Sequence, residues 1–275
     1  MKVGFIDYFL DEWHANNYPE WIKDKSNGRY EVAYAWAKID NPNGITNKEW
    51  AEKFGVELLP SIQEVVDKSD VLIVLSPDNP EMHEELCEIP LSSGKHVYVD
   101  KTFALTKESA EKIFAVADVH GTKCYSCSAL RFASELSDVD KSKITKIYSE
   151  GPGKFEEYAI HQIEPIVYLM NSRAKRVMFL GDKEHPSMII EFTDGRTAQM
   201  YQCGWIDFKI KTVDMANDVS EYVIKSDYFG AFIENMIQFF DTGEVLVKHE
   251  NTIDVIAIIE AGIKASKTPY TWVNI

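Results

Sequence analysis

Three stretches of this chain carry residues able to handle protons on a small organic ligand. In VYVDKTF, Asp100 and Lys101 follow directly on a strand-like segment, His96 to Val99. A strand-end lysine with an acid beside it to hold its ammonium can exchange a proton with a hydroxyl, or hydrogen-bond it, when partly buried. The alternative is a solvated lysine after a strand. In KFEEYAIHQIEPIVYLM, Glu157 and His161 lie four apart. That spacing sets both on one face of a helix, where they can converge on one ligand; a satisfied core histidine is the alternative. The third stretch, VGFIDYFLDEWHANNYPEWI, opens the chain as a strand followed by a helical pattern. A dinucleotide turn would show G-x-G-x-x-G here. Gly4 is present, but Asp7 and Phe9 stand near the glycine positions.

Positioning these residues needs a scaffold, and the hydrophobic pattern supplies one. Strand-like segments at Val3 to Ile6, Tyr30 to Ala37, Val71 to Leu75, His96 to Val99 and Thr122 to Cys127 alternate with helical ones. The helical segments are Asp11 to Lys23, Asn47 to Phe54, Ser61 to Lys68, Pro80 to Leu86 and Lys107 to His120. Such alternation predicts a Rossmann-like, doubly wound parallel sheet with crossover helices. Beyond Arg131 the texture changes. A strand at Ile144 to Ser149 and a helix at Glu156 to Met170 precede a run of strands from Arg176 to Ile224 without intervening helices. This predicts an α+β part with a mostly antiparallel open sheet. Helices follow at Tyr228 to Phe240 and Thr252 to Ser266. The expected division is 1–127 and 128–275, with the linker near Ser126 to Asp140.

The 275 residues carry a formal net charge of -15. That surface field repels phosphate backbones and anionic lipids, so nucleic acid and membrane are not expected partners. With no long apolar run and no leader-like segment, the expected location is the cytoplasm. Four cysteines include one C-x-x-C, Cys124 and Cys127, read as buried free thiols because no second pair follows at ligand spacing. No metal site is expected, since His96, His120, His185 and His249 show no acid or cysteine partner at ligand spacing.

The stretch Asp70 to Ser126 resembles the glucose-fructose oxidoreductase / inositol dehydrogenase (Gfo/Idh/MocA) family. The matching residues are Ser76-Pro77 at a strand end, His83 on the next helix, Gly94-Lys95-His96-Val97, and Asp100-Lys101-Thr102 in place of Glu-Lys-Pro. Val3-Gly4, His14-Ala15, Arg131 and His161 extend the likeness over nearly the whole chain. The resemblance implies an NAD(P)-dependent oxidoreductase acting on a hydroxyl of a sugar, cyclitol or related small polyol. Lys101, Glu157 and His161 would be its catalytic residues, Glu157 replacing the family's Asp. Gly4, Asp7, Phe9, Lys38, Ser76, Pro77, His83, Asp100 and Arg131 would line the cofactor. Lys38, near the place of the ribose-binding acid, favours NADP over NAD. A homodimer or homotetramer through the C-terminal sheet is implied as well.

Departures from the family pattern leave other readings open. The glycine fingerprint is gone, one residue is missing before His14, and the second part is short for the family. A cofactor-free carbohydrate-binding or regulatory descendant, or a non-redox lyase or glycosidase, would keep the same scaffold. Asp7, by itself, is placed to cap a helix beginning near Leu10.

Overall fold

The computed structural model describes residues 1–182 and 184–275. Two compact units make up the chain: Met1–Cys127 with Ile233–His249, and Ser128–Phe232 with Glu250–Ile275. Residues 233–249 thus fall in the first unit, apart from the residues around them in sequence.

In the first unit the strands are β1 (Lys2–Asp7), β2 (Glu31–Ala37), β3 (Glu57–Leu58), β4 (Val71–Val74), β5 (Val97–Val99) and β6 (Cys124–Tyr125). They form one sheet in the order β3-β2-β1-β4-β5-β6, every pair parallel. Helices α1 (Trp13–Lys25), α2 (Asn47–Phe54), α3 (Ile62–Lys68), α4 (His83–Leu91) and α5 (Lys107–His120) are the crossovers. The central strands β1, β4 and β5 are buried on both faces, with Phe5, Ile6, Leu72, Ile73, Val97 and Tyr98 fully enclosed. Continuous apolar runs are what such a doubly covered parallel sheet requires.

The strand order reverses direction between β1 and β4, the switch point at which open α/β sheets bind ligands. Register makes that point orderly. Ile6 pairs with Val74 and Val74 with Val99, so Asp7, Leu75 and Asp100 emerge level with one another at the carboxyl ends of three adjacent strands.

The second unit is built on β7 (Ile144–Gly151), α6 (Phe155–Met170), β8 (Ala174–Gly181), β9 (Pro186–Phe192), β10 (Thr197–Gln202), β11 (Lys209–Asp214) and β12 (Val219–Val223). Helix α7 (Tyr228–Thr242) ends in the first unit, α8 (His249–Ala265) returns the chain to the second, and β13 (Trp272–Asn274) closes it. The sheet order is β12-β11-β7-β10-β9-β8-β13, antiparallel except for the parallel β7–β10 pair. Helix α6 is fastened to this sheet by Gln162, whose side chain accepts from Ser149 Oγ at 2.8 Å and donates to the Tyr201 carbonyl at 3.1 Å. Tyr148 and Tyr201, by contrast, are exposed. The fold is therefore a Rossmann-like parallel sheet joined to a mostly antiparallel α+β sheet.

Some elements differ from the sequence pattern. The Pro80 to Leu86 helix is a 3-10 turn, Pro80–Met82, leading into α4, which runs on to Leu91. Helix α1 starts at Trp13 and its cap is Glu12, not Asp7.

Candidate active site

Around the carboxyl ends of β1 and β5, the first unit buries three carboxyl groups, Asp7, Glu12 and Asp100. Glu12 closes α1: its carboxylate accepts from the backbone N–H of His14 at 2.7 Å and from that of Ala15. These are two of the N–H groups that a helix start leaves without an intrahelical partner. Burial first, then the charge of Asp100, pushes the Glu12 pKa up to about 8. Asp7 takes the N–H of Tyr8 on Oδ1 at 2.6 Å, while its Oδ2 has no hydrogen-bond partner among the described residues. Burial and the neighbouring Glu12 push its pKa well above the usual carboxylate range.

Asp100 is fully enclosed and behaves oppositely. Its Oδ2 lies 2.5 Å from His14 Nδ1. Its Oδ1 accepts from Tyr98 Oη at 3.2 Å and lies 3.5 Å from Tyr18 Oη. Burial alone would raise its pKa; His14, the Lys101 charge and the Lys101 backbone N–H outweigh that and lower it. An ionised carboxylate is thus fixed directly before Lys101, which is half-buried. The sequence pointed to that pairing but not to His14, Tyr18 and Tyr98 as its support.

The other expected cofactor residues are placed as follows. Gly4 lies within β1, where an added Cβ would come 2.6 Å from Val65 Cγ1 and closer still to Ser69 Oγ. Close packing against α3 accounts for this glycine. Phe9 is half-buried with its ring 5.7 Å from that of Tyr8. Ser76 adopts φ +93°, a strained backbone for a residue with a Cβ, and its hydroxyl donates to the Asn79 carbonyl at 2.9 Å. Pro77 beside it is half-buried. His83 is fully buried with ring nitrogens 2.6 Å from the Leu75 carbonyl and 3.0 Å from that of Phe103. Burial lowers its pKa, so the neutral ring donates to one of the two. It ties together the loops after β4 and β5, a positioning task. Lys38 is exposed and ion-paired with Glu85.

In the second unit, Glu157 is exposed in the first turn of α6 and His161 is half-buried one turn on. His161 Nδ1 lies 2.8 Å from Ser128 Oγ, and its ring meets those of Tyr158 and Phe208 edge-on. Arg131 is committed inward: its guanidinium donates to Glu164 at 2.9 Å and lies over the Tyr168 ring. Burial raises the Glu164 pKa, with Arg131 opposing.

Sequence spacing gave His249 no partners, yet the fold supplies two. Its Nε2 is 3.6 Å from Cys124 Sγ and its Nδ1 3.7 Å from Asp118. Burial pushes the Cys124 thiol up to about 12, which leaves no thiolate for nucleophilic chemistry. Cys87, Cys124 and Cys127 are buried free thiols, and Cys203 is half-buried. Among the described residues no group of three or more His, Cys, Asp or Glu side chains is placed to hold a metal, and no helix is long and apolar enough to cross a membrane.

This parallel sheet, with polar groups at its switch point, has the Rossmann-type doubly wound arrangement. Residues 17–127 match the family model described as "Oxidoreductase family, NAD-binding Rossmann fold". Over that stretch, which lies within the first unit, the chain is similar to the Gfo/Idh/MocA oxidoreductases. A dTDP-3,4-didehydro-2,6-dideoxy-alpha-D-glucose 3-reductase from Actinomadura kijaniata is 32% identical over 74 residues, spanning 27% of this chain and 22% of that protein. A probable dehydrogenase from Thermotoga maritima superposes with a TM-score of 0.82 at 14% identity, over 100% of this chain and 98% of the other. A myo-inositol dehydrogenase from Lactobacillus casei, solved with NAD(H) and myo-inositol, gives 0.81 at 12% identity, over 100% and 96%. At these identities the structural likeness is one of fold.

The family's dinucleotide can be tested against the residues present. A pyrophosphate needs close backbone approach and the N–H groups at the start of α1. Here two of those N–H groups serve Glu12, Asp7 presents a buried carboxyl oxygen without a donor, and Phe9 carries a ring. The first turn does not fit a doubly charged pyrophosphate.

Proposed function

We propose that this protein is a cytoplasmic oxidoreductase acting on a hydroxyl of a sugar, cyclitol or related small polyol. Lys101 exchanges the hydroxyl proton. The observation that carries the reading is the enclosed, ionised Asp100 immediately before a half-buried Lys101 at a strand end of an oxidoreductase-family sheet. Asp100 keeps an anion beside the ammonium, and His14, Tyr18 and Tyr98 hold that anion still. Glu157 and His161 are proposed as the substrate-facing pair of the second unit, since one helical turn sets both on one face of α6. The match of residues 17–127 to an NAD-binding oxidoreductase family makes NADP or NAD the co-reactant to try. Lys38 favours NADP through its charge, although its pairing with Glu85 occupies part of that charge. A second copy of the chain is proposed to dock on the open sheet face that exposes Tyr148 and Tyr201.

The test is turnover of myo-inositol, scyllo-inositol and common hexoses with NAD and NADP, followed by nicotinamide absorbance. Lys101→Met should lower turnover by about 100-fold or more, the usual contribution of a positioned acid–base group. Full turnover in that variant, or none in the natural chain with any of these polyols, removes the reading. A second reading, a cofactor-free carbohydrate binder, is favoured by one observation: Glu12 at the start of α1.

A further inference from the structure

We infer that Glu12 is an internal ligand standing in for the pyrophosphate of a dinucleotide, so that the chain admits NAD or NADP only by displacing its own side chain. The inference rests on the oxidoreductase reading above and concerns how the dinucleotide is admitted, not the hydroxyl chemistry.

Helix α1 is thirteen residues long, enough for its amino end to hold an anion. Its first turn leaves the N–H groups of His14 and Ala15 without intrahelical partners, because the Asn16 N–H is the one that bonds the Glu12 carbonyl, at 2.9 Å. The Glu12 side chain takes both. This is no loose surface rotamer, since Glu12 is only 6% exposed. A second feature points the same way. Asp7, 1% exposed, keeps an oxygen without a donor, and its charge bears on Glu12 within the same cluster. An incoming phosphate group therefore meets filled donors and a ring of acids: Asp7, Glu12 and Asp100. Against them stands Lys101, whose charge faces the ionised Asp100 directly before it. In the G-x-G-x-x-G pattern, the glycines leave this space to the ligand. Here the space and its hydrogen bonds belong to the protein.

The experiment is titration calorimetry of the full chain with NAD, NADP, inorganic pyrophosphate and, as a phosphate-free control, adenosine. The natural chain should bind both dinucleotides no better than micromolar. Glu12→Gly frees the two N–H groups and empties the space its side chain fills, and should tighten dinucleotide binding by about 100-fold, or ~2.7 kcal/mol. Adenosine affinity should not change. Glycine and serine are both good helix caps, so Glu12→Ser serves if Glu12→Gly does not fold. A sub-micromolar Kd for either dinucleotide in the natural chain, or no gain in a folded Gly or Ser variant, overturns the inference and leaves the polyol reading standing. A variant that gains dinucleotide but oxidises no polyol does the reverse.

Discussion

Burying Glu12 has a thermodynamic consequence that urea unfolding can read. Its pKa is about 8 in the fold against an ordinary 4.5, pushed up by burial and by Asp100, with Asp7 and Lys101 as its other charged neighbours. A folded pKa above the unfolded one means that the unfolded chain loses this proton first as pH rises. The stability is fully present below pH ~4.5, falls through the neutral range and levels off above pH ~8. At about 1.4 kcal/mol per pH unit, Glu12 alone removes about 3 to 4 kcal/mol between pH 5 and pH 8. Proton sharing with Asp7 and Asp100 makes that figure a ceiling for one residue. Asp7 pushes in the same direction, whereas Asp100, with its lowered pKa, acts only in acid below this window. Glu12→Gln keeps an oxygen for the two N–H groups and cannot ionise. Its unfolding free energy should fall distinctly less from pH 5 to pH 8 and exceed that of the natural chain at pH 8. A natural chain whose stability rises or stays level over this range, or a variant with the same slope, would refute the reasoning.

Other perturbations test the rest of the molecule. Arg131→Met strands the buried Glu164 and should cost about 3–5 kcal/mol in chemical denaturation, with Glu164→Gln in the same chain restoring much of it. Gly4→Ala should lower stability by about 1–3 kcal/mol by crowding Val65 and Ser69; unchanged stability would return Gly4 to the ligand side. Tyr148→Asp should shift the sedimentation of any dimer or tetramer towards the monomer, and an unmoved oligomer would place the interface elsewhere.

Where local chemistry decides, the sequence was readable. Asn47–Phe54 and Lys107–His120 are helices at the expected residues because both ends are marked. Thr46 forms a capping box with Glu49 and Gly55 ends the helix left-handed; in the second, Thr106 accepts from the Ser109 N–H and Gly121 ends the helix left-handed. Strands β3 and β13, two and three residues long, are too short to show a period. At the site, Lys101 with Asp100 was legible as neighbours in sequence. Their setting was not, because His14 and Asp100 are brought together only by the sheet order, which leaves a single strand, β4, between β1 and β5. Glu12 as the cap was not legible either, because helix caps are ordinarily Ser, Thr, Asp or Asn and the longer Glu side chain reaches back here only because the fold buries it.

The division of the chain also bears on how it is made. The first unit is not finished when Cys127 leaves the ribosome, because residues 233–249 belong to it. Phe239 packs edge-on against Tyr125, Asp241 accepts from Arg29 and Tyr30, and His249 stacks on Phe114 at 3.9 Å. Until those residues are translated, the first sheet waits with aromatic surface uncovered, while more than a hundred residues of the second unit emerge. The second unit in turn lacks α8 and β13 until residues 250–274 are made. Neither half can be cut out at Cys127 as a self-sufficient piece, because each unit draws on chain from both sides of that point.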